Sequence, residues 1–276
     1  MIVFAPVLEI YITNVCNLAC KECNRFNNYN FKGHLKWDDY AGEMVQWSKK
    51  VDAKNITLIG GEPTLHPDLE TWVMNIRRLW PTTEISIQTN GTYIRPHFTT
   101  FWNKYETAFK ISLHDISTSS EIIKNWTTTF GIDQFLPGFV FSPATVIKKD
   151  NYFILHNNNK QLAFDNCSMK YDHTLFRGKL YKCPSMALLP ELNKQFTFEM
   201  SDDEVDLLSA YKPLSSNCTE EQLNEFVQTR ETSIDQCQFC PVSTKWNMAY
   251  GDLDAHKIPF FDTINKDNID ELLKIT

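Results

Sequence analysis

Leu8-Glu9-Ile10-Tyr11-Ile12-Thr13-Asn14-Val15-Cys16-Asn17-Leu18-Ala19-Cys20-Lys21-Glu22-Cys23 is the stretch on which the reading of the chain turns. Leu8–Thr13 is short, β-branched and aromatic, which predicts a strand. The cysteines follow at once, on a loop at the strand's carboxyl end. Three thiolates within eight residues can converge on one face of a cuboidal cluster. A [4Fe–4S] cluster normally takes four cysteines, so three leave one iron with an open position. Metal chemistry on a substrate needs such a position. A zinc ribbon uses paired C-x₂-C units, and C-x₃-C-x₂-C fits that pattern badly.

Outward from this stretch, strand and helix patterns alternate over the first 115 residues. Tyr40, Met44, Trp47 and Val51 recur at helical spacing and predict a helix over Trp37–Val51, with Asp38 and Asp39 complementing its N-terminus. Ile56–Ile59 is a compact apolar strand ending in Gly60-Gly61. Leu69, Trp72, Val73, Ile76 and Leu79 form one face of a second helix, stopped by Pro81. Glu84–Thr89 reads as a third strand closed by the turn signal Asn90-Gly91. Phe98, Trp102 and Tyr105 predict a third helix, Phe109–Leu113 a fourth strand and Ser119–Trp126 a fourth helix. Repeated βα units imply parallel strands with helices outside, here a partial barrel or open α/β sheet.

The pattern loosens from about residue 130. Phe139–Phe141 and Tyr152–Leu155 are expected strands, Asp202–Tyr211 and Thr219–Gln228 expected helices, the last with a capping box from Thr219 and Gln222. A module boundary is placed near residue 160, dividing the chain into 1–160 and 161–276. The N-terminal run Met1–Thr13 lacks a basic n-region and a small-residue cleavage site and contains Glu9. It is therefore expected to be a buried strand and not a signal peptide.

Composition narrows the function classes. A net charge of −7 and the absence of a Lys/Arg stripe argue against nucleic acid as a partner. No segment approaches the ~20 apolar residues of a membrane span. Eight cysteines without a secretion signal suggest metal ligation in a reducing cytoplasm more than disulfides.

Together these motifs resemble the radical S-adenosylmethionine (SAM) superfamily. C-x₃-C-x₂-C after the first strand is its signature, and Gly60-Gly61-Glu62-Pro63 after the second resembles its GGEP motif. Gln88-Thr89-Asn90-Gly91 resembles the segment that lies near SAM, and Ile111-Ser112-Leu113-His114 the end of its fourth strand. The resemblance implies a partial (β/α)₆-type barrel in which Cys16, Cys20 and Cys23 hold a [4Fe–4S] cluster. It implies that Gly60, Gly61, Glu62, Pro63, Gln88, Asn90 and Ser112 bind SAM, Glu62 through the methionine amino group. The family places an aromatic residue before the third cysteine, against the adenine. This chain has Glu22 there, and Phe26 is the candidate to supply the packing.

A second set, Cys167, Cys183, Cys237 and Cys240, stands apart. Gly178-Lys179-Leu180-Tyr181-Lys182-Cys183-Pro184 resembles the G-x₄-C-P element of SPASM and Twitch modules. Four cysteines match the shorter Twitch version, which implies one fully ligated auxiliary [4Fe–4S] cluster. A structural Cys₄ zinc site would use the same thiolates. Cys218 is left over as a small buried residue.

The chemistry implied is cleavage of SAM to a 5′-deoxyadenosyl radical that takes hydrogen from a substrate, with flavodoxin or ferredoxin as electron donor. An auxiliary cluster implies a net oxidation of a small polyol, an aminocyclitol-like molecule or a peptide side chain. The alternatives are a peptide maturase forming thioethers or epimers, a deazaguanine-type base-modifying enzyme, and a non-catalytic zinc protein. Tyr11, Arg25, Arg95, His97, His114, Trp126 and Arg177 are the candidates to line the substrate pocket.

Overall fold

The computed structural model describes residues 3–20, 23–29, 31–114, 116–131, 135–139, 146–149 and 152–242. Five strands and the helices between them come first in the chain. They are β1 (Val3–Thr13), α1 (Ala41–Ser48), β2 (Val51–Gly60), α2 (Leu69–Leu79), β3 (Glu84–Thr89), α3 (Thr99–Tyr105), β4 (Thr107–Leu113), α4 (Ile116–Phe130) and β5 (Phe135–Phe139). There follow β6 (Val146–Lys149), β7 (Tyr152–Leu155), α5 (Lys160–Asp165), β8 (Asp172–Phe176), β9 (Lys179–Tyr181), α6 (Pro184–Gln195), α7 (Asp202–Ala210), β10 (Leu214–Ser215) and α8 (Glu220–Gln228).

The main sheet runs β10-β9-β8-β1-β2-β3-β4-β5. Its central pairings from β8 to β5 are all parallel, and β9 and β10 add antiparallel at one edge. The sheet is open, and its parallel part matches the expected partial barrel. The sixth parallel strand, β8, joins beside β1, so the sheet runs continuously past residue 160. Tyr152–Leu155 is a strand as expected, but it pairs with β6 in a separate antiparallel ribbon. The strand expected at Phe139–Phe141 lies earlier, ending at Phe139; residues 140 and 141 fall outside the described residues.

One helix boundary differs from expectation. Trp37–Asp39 is a short 3₁₀ turn, α1 stops at Ser48, and Val51 begins β2 opposite Val3. A β-branched residue gains more in a parallel ladder than at a helix end, and tertiary pairing overrides the helical spacing. The capping box at Thr219 forms as predicted: Gln222 N–H donates to Thr219 Oγ1 at 3.3 Å and Thr219 N–H to Gln222 Oε1 at 2.9 Å.

Alternation along the strands divides the sheet into two faces. Leu8, Ile10, Ile12, Ile56, Leu58, Ile85 and Ile87 are buried in the apolar core. The other parity carries a polar row. Thr174, Glu9, Thr57 and Ser86 stand in one register row across four strands, and all are buried. Thr57 Oγ1 and Ser86 Oγ lie 3.1 Å apart, and Thr174 Oγ1 donates to Glu9 Oε2 at 3.1 Å. A buried polar row is unfavourable unless its groups are satisfied, and this row adjoins the site. Among the described residues no helix is long and apolar enough to cross a membrane.

Candidate active site and second cysteine cavity

The loop after β1 is held down by backbone contacts that leave no room for side chains at Gly60 and Gly61. Gly61 N–H donates to Thr13 O at 2.8 Å and Glu62 N–H to Val15 O at 2.7 Å. A Cβ on Gly60 would fall 2.4 Å from Thr13 O, and one on Gly61 2.3 Å from Val15 O. The two glycines are therefore required because the cysteine loop lies directly on them.

Within this frame Cys16, Cys20 and Cys23 line a cavity of about 240 Å³ together with Gly60 and Gly61. Gln88, Asn90 and Ser112, from the ends of β3 and β4, form another part of its wall. Gln88 Nε2 donates to Ser112 Oγ at 2.9 Å, and Asn90 Nδ2 to Asn17 Oδ1 at 2.8 Å, which ties the cysteine loop to the third strand. Burial pushes the Cys16 thiol up to about 12, against the pull of the Leu18 N–H. Iron binding there must release a proton.

Glu62 is fully buried. Its Oε1 accepts from Thr64 N–H at 3.0 Å, Thr64 Oγ1 at 2.6 Å and Thr89 Oγ1 at 2.7 Å, and its Oε2 from Asn90 N–H at 2.6 Å. Burial raises its pKa while these bonds pull it down. The carboxylate thus braces the end of β2 against the end of β3. Pro63, buried like Glu62, opens the 3₁₀ turn that follows. Gly91, next along, has φ +74° and would meet Ile111 and Ile122 at 2.7 Å if it carried a Cβ.

Three charged groups of the cavity come from the polar face of the sheet and the loop: Glu9, Arg25 and Asp172. Arg25 Nη2 donates to Glu9 Oε1 at 2.6 Å in a buried ion pair. Arg25 Nη1 is buried with no hydrogen-bond partner, a donor available to an anionic group in the cavity. Burial, reinforced by Glu9, raises the Asp172 carboxyl to about 6. His114 shares this wall, and burial lowers its pKa, favouring the neutral imidazole. A larger open groove of about 1030 Å³ adjoins, sharing Leu18, Asn90 and His114.

Of the pocket candidates read from sequence, Arg25 and His114 line the cavity. Tyr11 is buried edge-on to Phe176 at 5.2 Å. Trp126 is a core residue whose indole N–H donates to Gly91 O at 2.8 Å. Arg95 packs over the Tyr93 ring and His97 is exposed. Arg177 lies in the tight turn between β8 and β9 and pairs with Glu191 at 3.1 Å. Phe26 is buried in the core at φ +58° and does not line the cavity. Glu22 lies outside the described residues. Glu9 and Asp172 also line the cavity, and no sequence motif marks either of them. An acidic residue inside an otherwise apolar strand was the available signal for Glu9.

Cys167, Cys183, Cys237 and Cys240 come together around a second cavity, with Phe164 and Lys182 in its wall. The Arg177-Gly178 turn, both residues at positive φ, returns β9 antiparallel to β8 and delivers Cys183 to the N-cap of α6. Cys237 and Cys240 lie on and just after the 3₁₀ turn Asp235–Phe239, with Cys240 N–H on Cys237 O at 3.0 Å. Cys218 is buried elsewhere, its carbonyl accepting from Lys50 Nζ at 2.7 Å. Among the described residues no three ligand-type side chains converge on a point for one metal ion. The cysteines surround cavities instead.

Comparison with known proteins gives the site its family. Residues 10–137 match the Radical SAM superfamily. The chain is 29% identical over 114 residues to GTP 3′,8-cyclase of Aquifex aeolicus (strain VF5), covering 40% of this chain and 36% of that protein. It is 28% identical over 128 residues to the S-adenosylmethionine-dependent nucleotide dehydratase of Flammeovirga pacifica, covering 45% of this chain and 43% of that protein. The chain thus spans less than half the length of these curated relatives. The crystal structure of BtrN in complex with AdoMet and 2-DOIA shares the fold at a TM-score of 0.52 and 13% identity, covering 91% of this chain and 100% of that one. The cysteine loop, the glycine pair and the strand-end polar residues all lie inside the matched segment, and residues 10–137 are a radical SAM domain.

Proposed function

We propose that this chain is a SAM-dependent oxidoreductase that dehydrogenates a small hydroxylated substrate, with the second cysteine set holding an auxiliary [4Fe–4S] cluster as electron acceptor. The observation that carries the reading is the segment from Cys167 to Asp172. Ser168, Met169 and Asp172 line the first cavity, and Cys167 lines the second.

Cys16, Cys20 and Cys23 would hold the first cluster, and Gly60, Gly61, Gln88, Asn90 and Ser112 would wall the SAM site beside it. When bound, the cluster and SAM supply a 5′-deoxyadenosyl radical that takes a hydrogen atom from a substrate carbon. The residues of this chain then manage what remains. Asp172, ionised above about pH 6, accepts the proton of the substrate hydroxyl. The Arg25–Glu9 ion pair ties the cysteine loop to β1 in the cavity wall. An auxiliary cluster held by Cys167, Cys183, Cys237 and Cys240 would take up one electron, and the substrate would then have lost two hydrogens in all and become a carbonyl. Flavodoxin or ferredoxin is the proposed source of the electron that starts each cycle.

With Glu9 neutralised by Arg25, the carboxylate left unpaired in the cavity is that of Asp172, which favours a hydroxylated or amine-bearing group beside it. A nucleotide is the second reading, supported by the names of the two relatives. An anaerobic assay with dithionite and SAM separates them, using an aminocyclitol, a hexitol, GTP and CTP as test substrates. The proposal expects a product two hydrogens lighter, formed one-to-one with 5′-deoxyadenosine. A cyclised or dehydrated nucleotide in its place would overturn it.

A further inference from the structure

The second cavity is lined by two lysines that this chemistry has not used: Lys170, whose Nζ donates to Asp165 O at 3.2 Å at the exposed surface, and Lys182, which is buried. Lys182 is 3% exposed and lines the cavity together with Cys167, Cys183, Cys237 and Cys240. Its Nζ donates to the carbonyls of Thr229 and Thr232, the latter at 3.0 Å, and lies 5.0 Å from the centroid of the Phe164 ring. Its backbone N–H donates to Tyr211 Oη at 2.8 Å, so the residue is held at both ends. Among the described residues no carboxylate pairs with it: the described ion pair on this side of the molecule, Lys160 with Asp235, is exposed.

A buried ammonium without a counter-charge is strongly unfavourable. Two carbonyls and a ring face solvate it in part. The groups in the cavity able to carry full negative charge are the four thiols, once deprotonated. Four thiolates around a [4Fe–4S]²⁺ core leave a net charge of −2, which becomes −3 on reduction. A fixed cation beside the cluster attracts the reduced state more than the oxidised one, because Coulomb attraction grows with charge. The consequence is a higher reduction potential.

We propose that Lys182 is the built-in counter-cation of the auxiliary cluster and raises its potential, so that the cluster accepts an electron from the substrate radical. This rests on the auxiliary-cluster reading above. An arginine would keep the charge, and a methionine of similar length would remove it.

The test is a redox titration of the anaerobically reconstituted full-length protein followed by electron paramagnetic resonance, with and without SAM. The signal that SAM leaves unchanged reports the second cluster. Lys182→Met is expected to bind the same iron and to disfavour reduction of that signal at least tenfold, or ~59 mV for one electron, while Lys182→Arg stays near wild type. If the wild-type protein shows only a SAM-responsive signal, the auxiliary-cluster reading fails and the role of Lys182 falls with it. If the second signal is present and Lys182→Met leaves its midpoint in place, the Lys182 inference alone is wrong. Should Lys182→Met lose iron, Lys182→Gln repeats the test with an amide that can still bond a carbonyl. Loss of iron in both neutral variants but not in Lys182→Arg supports a counter-charge, and loss in all three overturns it.

Discussion

The backbone N–H of Met169 donates to Sγ of Cys167 at 3.4 Å. Met169 belongs to the wall of the first cysteine cavity and Cys167 to the wall of the second. Asp172 N–H in turn donates to Met169 O at 3.1 Å, closing the turn from which β8 enters the sheet beside β1. One six-residue segment is thus common to both cavities. The parallel pairing of β8 with β1 is what brings it there.

No cysteine lines both cavities, so the two cysteine sets are separable by mutation. Replacing Cys16, Cys20 and Cys23 by Ala is expected to remove about half of roughly eight irons per chain and to abolish 5′-deoxyadenosine formation. Replacing Cys167, Cys183, Cys237 and Cys240 should remove the other half and leave SAM cleavage measurable. Iron and sulfide analysis with chromatography of 5′-deoxyadenosine reads both. SAM cleavage by the first variant would show that the cluster ligands are misassigned.

Gly61→Ala puts a Cβ where Val15 O lies at 2.3 Å. The loop must lift, since a backbone carbonyl cannot yield as a side-chain tip does. Iron at the first site is expected to fall sharply while far-ultraviolet circular dichroism stays that of the wild type. Undiminished iron in a folded Gly61→Ala protein would mean the loop seats its cysteines without this contact.

Glu62→Gln leaves one acceptor oxygen where the carboxylate takes four donors. Charged buried hydrogen bonds are lost and a donor is turned against a donor, at a cost of about 1–3 kcal/mol. Denaturant unfolding should show that loss, and equilibrium dialysis should show weaker SAM binding because Asn90 is released. A variant as stable as wild type would remove the bracing role.

Arg25→Met strands the Glu9 carboxylate in the sheet interior and is expected to destabilise by about 3–5 kcal/mol, as for other broken buried pairs. The double variant Glu9→Gln/Arg25→Met should recover part of that loss, since no unpaired charge remains. Urea titrations of the two single variants and the double variant close the cycle. Additive losses would show that the pair is not coupled.

Asp172 gives a pH signature. Its carboxyl is raised from 3.8 to about 6 in the folded protein, by burial first and the Glu9 charge second. A raised carboxylate pKa means that the folded state binds its proton more tightly than the unfolded state. Ionisation therefore weakens the fold progressively between about pH 4 and 6, and the penalty stays constant above that. Asp172→Asn is expected to be more stable than wild type at pH 8 by on the order of 3 kcal/mol, with the difference gone at pH 3.5. Unfolding in urea at both pH values measures it. The same variant should lose substrate oxidation and keep 5′-deoxyadenosine formation, which separates the proton-accepting role from the electrostatic one. Greater stability of the wild type at pH 8 would show that the carboxylate has a favourable partner.

The local signals in the sequence located what depends on neighbours along the chain. Glu84–Thr89 is a strand with the bounds its alternation gave, α2 ends at Leu79 ahead of Pro81, and the Thr219 capping box forms. The cysteine loop, Gly60-Gly61 and the strand-end residues Gln88, Asn90 and Ser112 were all legible as a family pattern, because each lies beside its own strand. What joins them was not. Glu9 meets Thr174 across 165 positions and Arg25 across 16. Parallel strands pair with partners that no nearby residue announces, and so β8 could not be placed beside β1 from sequence. Its placement there brings Asp172 to the first cavity and Cys167 to the second. The same distant packing turned Trp126, Arg95 and Arg177, plausible pocket residues by type, into core and surface residues instead.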